Sequence, residues 1–263
     1  MLLREYFWLW GHPEGRYNGL FGNEKNSRMT PMECCNYLGI RNTFMVPVEI
    51  DVNRRQYNKS FKTLRSVGWE CNDSALDGAA SLDVVLEETK EFTNINCVVF
   101  DDFKGPYCDK ISIENLYKAI DRAHDNGIKS LDVWMVLYTN QFGRDEQDDK
   151  NFQPYMDAFD GIIMWTWKER DVPLIPEKFE ILKKNTPNTR RMIGVYLYNF
   201  GENKQATADA VRYQLDFCYD KLKKGEIEGV VLHTNTMADL DYEAYDVACE
   251  WMDMHGDEII ADV

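Results

Sequence analysis

Short apolar or aromatic runs recur at nearly even intervals along the chain, at positions 5–10, 43–48, 66–71, 96–101, 131–138, 161–167, 191–198 and 229–234. Each has the length of a strand. Between them apolar residues repeat with helical spacing: Leu82, Val85, Leu86 and Thr89; Ile113, Leu116, Ile120 and Ala123; Val211, Leu215, Cys218 and Leu222; Tyr242, Tyr245, Cys249 and Met252. Helix punctuation agrees. Thr30-Pro31-Met32-Glu33 has the order of a capping box with proline at the first helical position, Ser112 precedes the helix at Ile113, and Pro176 begins another. Gly127 and Gly225 close helices before strands.

Eight strand–helix units, beginning on a strand and ending on a helix, fit either a (βα)8 barrel or a doubly wound open sheet. No glycine-rich dinucleotide or phosphate loop follows any of the strands, which removes the usual reason for the open sheet. The pattern therefore predicts an α/β fold, a (βα)8 TIM barrel in one domain spanning 1–263. Closure would pair strand 1 with strand 8 and set Trp10 beside His233. The longest clear connections on the carboxyl side, where such barrels build their sites, are 11–29 and 140–150.

Alternation along each strand separates the side chains that face the outer helices from those that face the barrel axis. Phe7 and Leu9 outward turn Trp8, Trp10 and His12 inward. The same rule brings in Gly68, Glu70 and Asn72 on strand 3, Cys97, Val99 and Asp101 on strand 4, and Trp134, Tyr138 and Asn140 on strand 5. Strand 6 contributes Trp165, Trp167 and Glu169, strand 7 Tyr196 and Tyr198, and strand 8 Val231, His233 and Asn235. Strand 2 is ambiguous in parity; Phe44, Val46 and Val48 outward would bring Glu49 inward. The predicted mouth combines aromatic walls with converging carboxylates, imidazoles and amides, the common form of a small-molecule site. Indole faces beside hydrogen-bonding groups suit carbohydrate.

Charge narrows the partners. With 30 Lys+Arg against 45 Asp+Glu the chain carries a formal −15, which repels a nucleic-acid backbone. No apolar run approaches the ~20 residues of a membrane helix, and no basic start leads into an apolar stretch. The expectation is a cytoplasmic protein, or a secreted or periplasmic one if a leader has been trimmed. Seven cysteines, at 34, 35, 71, 97, 108, 218 and 249, are odd in number and include no C-x-x-C pair, so they read as free thiols.

The stretch 94–103, N-I-N-C-V-V-F-D-D-F, ends a buried strand on two adjacent acids. Here the chain resembles the (βα)8 glycoside hydrolases, and more narrowly their uncharacterised glycoside-hydrolase-like members with a V-V-F-D-D-F strand 4. It has neither the Asn-Glu pair that ends strand 4 in the largest glycoside hydrolase clan nor the D-x-x-D-x-D-x-E run of chitinase-like barrels. The resemblance implies a barrel that acts on or binds a glycan, with an acid on strand 4.

Glycoside hydrolysis needs one protonated carboxyl and one ionised carboxylate. Asp101 is the first candidate. Glu70 on the neighbouring strand would fall near the ~5–5.5 Å retaining separation, and Glu169, across the mouth, nearer the wider inverting range; Glu169 is the preferred second acid, because a split across the mouth straddles a glycosidic bond. Asp102 is either catalytic or a loop cap. Trp10, His12, Glu49, Tyr138, Trp167, Tyr198, His233 and Asn235 are candidate sugar contacts, and no metal or cofactor is called for. Two alternatives stay open. One is a metal-dependent sugar isomerase or hydrolase using Glu49, Glu70, Asp101 and His233; the other is a glycan-binding barrel without catalysis. An aldolase lysine at Lys168 has the wrong parity, and the loops after strands 7 and 8 lack a glycine-rich phosphate cradle.

Overall fold

The structure is a computed structural model and describes residues 1–48, 50–72, 80–107 and 110–260. Its strands are β1 (Phe7–Gly11), β2 (Asn42–Met45), β3 (Ser66–Glu70), β4 (Ile95–Phe100), β5 (Asp132–Tyr138), β6 (Gly161–Trp165), β7 (Arg190–Tyr196) and β8 (Gly229–His233). They alternate with helices α1 (Pro31–Leu38), α2 (Arg54–Ser60), α3 (Ala80–Glu88), α4 (Ile113–His124), α5 (Glu146–Ala158), α6 (Ile175–Asn185), α7 (Ala208–Lys223) and α8 (Glu243–His255). All strand pairs in the barrel are parallel, and β1 closes it against β8 with Trp10 opposite His233. The fold is a (βα)8 TIM barrel.

Local chemistry sets the helix ends as expected. Thr30 Oγ1 accepts from the Glu33 N–H while Glu33 Oε2 accepts from the Thr30 N–H at 2.8 Å, and Gly39 closes α1 at φ +66°. A side chain would resist that left-handed turn. Without the reciprocal bond, the Ser112 hydroxyl oxygen accepts from the Asn115 N–H to cap α4 and that of Thr207 from the Ala210 N–H to cap α7. The six described cysteines are free thiols; Cys108 lies outside the described residues. No described helix is long and apolar enough to cross a membrane.

The barrel interior is filled by aromatic rings seated over glycines. Trp134 of β5 lies over Gly161 of β6, Trp165 of β6 over Gly194 of β7, and Phe44 of β2 over Gly68 of β3; a Cβ at those glycines would stand 2.2, 2.1 and 2.5 Å from the ring atoms. Trp8 stacks on Phe44 at 4.6 Å, and Trp10 meets Phe44 at 5.7 Å and the edge of Trp165 at 5.5 Å.

The outward orientation expected for Phe44 is therefore corrected: it faces the axis. Thr43 takes the helix side beside Pro31 and donates its hydroxyl to the Leu9 carbonyl. β2 is buried on both faces, its polar Asn42 and Thr43 included, so packing of Phe44 against Gly68 decides its parity. Two strands also end earlier than their apolar runs. β6 stops at Trp165 and β7 at Tyr196, and Tyr198–Asn199 instead pairs antiparallel with Lys204–Gln205.

Gly161→Ala is expected to destabilise the protein by about 1–3 kcal/mol, because the indole of Trp134 fills the space and the strands that carry both residues cannot separate. Urea denaturation measures it; an unchanged midpoint would show that the Trp134 ring is free to move.

Candidate active site

The strand tips of β3 and β4 are joined by one amide. Asn72 Nδ2 donates to Glu70 Oε1 (2.9 Å) and Asn72 Oδ1 accepts from the Asp101 N–H (2.6 Å). The other Glu70 oxygen accepts from the Val48 N–H at 3.1 Å. Asp101 Oδ1 accepts from the Asp102 N–H at 2.9 Å, and its second oxygen has no partner among the described residues.

Protein surrounds Asp101 on most sides, yet solvent still reaches it. Burial, with the charges of Asp102 and Glu70 added, pushes its carboxyl well above the usual carboxylate range. The shift favours the protonated form. Asp102 sits at φ +47°, exposed, and accepts from the Tyr138 hydroxyl at 2.7 Å. Burial raises Tyr138 and Tyr196 as well, so both remain hydroxyl donors.

Asp102, Tyr138, Asn140, Gln141 and Trp167 line a cleft of about 240 Å³. Trp167 is half-buried there, with its edge toward Tyr138 at 6.0 Å and its face along Phe200 at 6.3 Å. A larger cavity of about 580 Å³ opens at the opposite, amino-terminal end of the barrel, away from these carboxylates. There Arg190 lies over Trp134 and bridges Asp132 (2.8 Å) and Glu228 (3.5 Å), an arrangement that reads as stabilising the barrel floor.

The barrel seam carries a buried imidazole pair. His12 Nδ1 lies 2.6 Å from the Val46 carbonyl, which can only accept, so that nitrogen holds the proton. His12 Nε2 is then a lone pair, facing His233 Nε2 at 3.3 Å and the Tyr17 hydroxyl at 3.1 Å. Burial lowers His12 to about 3 and puts His233 well below its ordinary value. Both are neutral at pH 7. Asn235, fully buried, accepts from the His12 N–H (2.8 Å) and donates to the carbonyls of His12 (3.0 Å) and Met29 (2.7 Å).

The structure thus gathers Glu70, Asp101, Asp102, Tyr138 and Trp167 at the mouth. Trp10 lies beneath it, 3% exposed, packed on Phe44 and Trp165. His12, His233 and Asn235 are internal to the seam. Tyr198 points away from the axis, buried beside Tyr242 with its hydroxyl on the Phe21 carbonyl (2.9 Å). Glu169 is committed elsewhere: its two oxygens accept from the Thr207 N–H (2.8 Å) and hydroxyl (3.1 Å) at the start of α7. The strand ends four residues before it, so strand parity does not reach Glu169. Glu49 lies outside the described residues. Among the described residues no group of three or more His, Cys, Asp or Glu is placed to hold a metal ion.

Sequence reasoning missed Tyr17 and Phe200. Tyr17 comes from the glycine-spaced first loop, feels the charges of Asp101, Asp102 and Glu70, and packs on Phe200 at 4.9 Å. Its only signal in the sequence is an aromatic residue inside a long loop.

No family model matches the chain, and no curated protein matches it in sequence. Solved structures match in shape. Active domain 2 of a thermostable chitinase from Pyrococcus furiosus, complexed with chito-oligosaccharides, superimposes with a TM-score of 0.62 at 10% identity, covering 97% of each chain. A family 18 chitinase from Crocus vernus gives 0.54 at 12% identity over 94% of this chain and 99% of that one. The tryptophan synthase A-subunit from Pyrococcus furiosus gives 0.53 at 10% identity over 95% and 97%. The likeness is one of fold. Glycoside hydrolase barrels are among the structural neighbours, and so are barrels of other chemistry.

Two outcomes test this geometry. Glu169→Ala is expected to cost about 1 kcal/mol in chemical denaturation by removing the acceptors of Thr207. No change would mean those bonds contribute nothing in solution. For Asp101, folding takes up a proton between the ordinary carboxyl value near ~3.9 and the raised folded-state value, so stability falls as pH rises through that window. Asp101→Asn removes the slope: relative to the native chain its melting temperature should be higher at pH 8 than at pH 4. A difference that does not vary with pH would place Asp101 in an ordinary environment.

Proposed function

We propose that this chain is a glycoside-hydrolase-like enzyme that cleaves a carbohydrate at the carboxyl-end mouth, with Asp101 as proton donor and Glu70 as its ionised partner. The observation that carries this reading is the Asp101 carboxyl. Burial beside two other carboxylates raises it and favours the protonated form, and one of its oxygens has no partner among the described residues. Glycosidic cleavage requires a carboxyl kept in that form.

In the proposed reaction Asp101 gives its proton to the leaving glycosidic oxygen while a Glu70 oxygen attacks the anomeric carbon, forming a glycosyl ester. Asp101, now ionised, takes a proton from the water that hydrolyses the ester, and both groups return to their starting forms. Two N–H donors, one on each Glu70 oxygen, suit its ionised state. Neighbouring strands ~4.8 Å apart favour the short carboxyl separation of retaining enzymes over the wide one. Asn72, bonded to both tips, is the positioning residue. Trp167 and Tyr138 supply the ring face and hydroxyl that would hold the sugar, and Asp102 accepts from its hydroxyl groups. The chitinase neighbours support a carbohydrate-related barrel through shape alone.

Aryl glycosides and natural glycans, screened with the native protein and Asp101→Asn side by side, provide the test. Native kcat/KM should fall as pH rises through the raised Asp101 value, and Asp101→Asn should lose ~10²-fold or more while still binding glycan. The products should keep the anomeric configuration by NMR. Normal turnover by the variant would end the Asp101 assignment, and binding without turnover by the native protein would make this a glycan-binding barrel.

A further inference from the structure

Beyond the acid cleft, the loops after β4 and β5 enclose a second cavity of about 610 Å³. Asn140 and Gln141 line both spaces, so the two meet at the loop that follows β5. The junction is firmly built. Gln141 donates its amide to the Lys104 carbonyl and accepts from the Tyr138 N–H (2.9 Å), while Lys104 Nζ donates to the Gln141 carbonyl (2.6 Å) and to Asp148 (2.7 Å). One wall is a stacked pair, Phe152 and Tyr155, with centroids 5.7 Å apart and planes at 17°.

Polar groups on the rim are open for a ligand. Asn140, Arg144 and Asn151 are exposed, and the Asn140 amide and Arg144 guanidinium have no hydrogen-bond or ion-pair partner among the described residues. The charged lining balances, Lys104 and Arg144 against Asp148 and Asp149. A chain of formal charge −15 repels a polyanion. The acid cleft alone, about 240 Å³, is below the ~300–1,000 Å³ of sites that enclose a drug-sized ligand, so it has room for little more than the reacting unit.

We infer that the groove between the loops after β4 and β5 holds further units of a neutral oligosaccharide whose reacting unit occupies the cleft at Asp102 and Trp167. This rests on the proposal above that the mouth takes carbohydrate. The enzyme would accordingly act on a chain of several sugars, with the units beyond the cleft bound by hydrogen bonds to the rim amides and the Arg144 guanidinium rather than by ion pairing.

Isothermal titration with cello-, manno- and chito-oligosaccharides of one to six units, and with oligogalacturonates, decides the matter. In one neutral ladder, affinity should rise about tenfold or more between one unit and four, the gain of one or two net hydrogen bonds. The double variant Arg144→Ala/Asn151→Ala should cut that increment about fivefold, and Asn151→Trp, at an exposed helix position, should abolish it by filling the groove. Flat neutral ladders, an increment untouched by both variants, or preference for oligogalacturonates would overturn the inference. Turnover is read separately. Asp101-dependent hydrolysis of aryl glycosides with flat ladders removes the groove and leaves the hydrolase; steep ladders without hydrolysis of any glycan leave the groove and remove the hydrolase.

Discussion

Every strand of this barrel is constrained by the need to fit large aromatic rings around one axis. Indoles and phenyl rings from one strand occupy the volume that a side chain on the next would have used, and Gly68, Gly161 and Gly194 supply the vacancy. The interior therefore behaves as a set of interlocked pairs rather than as independent layers. The same packing carries load upward. Trp165 touches Trp10, Tyr196 and His233, so the floor of the mouth inherits its shape from the core.

The site above this floor is held by acceptors and donors of the backbone more than by countercharge. Asn72 bonds to two strand tips, the Asp102 N–H occupies one Asp101 oxygen, and the Val48 N–H one of Glu70. Burial of Asp101, with the charges of Asp102 and Glu70 close by, makes its ionisation costly and favours the protonated form. The neutral imidazoles at the seam belong to a different economy. Their hydrogen bonds close the barrel, and their burial removes them from proton transfer near neutral pH.

Much of the fold was legible in the sequence because period-2 and period-3.6 patterns record which face is buried. The pairing of Trp10 with His233 follows from closure alone. Legibility failed where the pattern carried no contrast. Phe44 sits in a strand buried on both faces, and Tyr198 and Glu169 lie past the ends of their strands, where alternation no longer describes the chain. Within the site, strand-borne Glu70, and Asp101 just beyond its strand, were accessible to parity. Tyr17 and Phe200 were not, because a loop places its side chains by tertiary contacts that leave no period to read.

The clasp around Asn235 bears on how the chain is made. The first loop is held from the far end of the sequence: Asn235 bonds to His12 and Met29 across 223 and 206 residues, and the Tyr242 hydroxyl bonds to Asn23 across 219. Contacts of such separation form only after the intervening loop is closed entropically, and they slow folding. On the ribosome, β3 to β6 have their neighbours within reach as they emerge. The first strand and its loop must wait for the last unit, so the carboxylate side of the mouth can take shape during synthesis while the seam beside it is sealed only at the end.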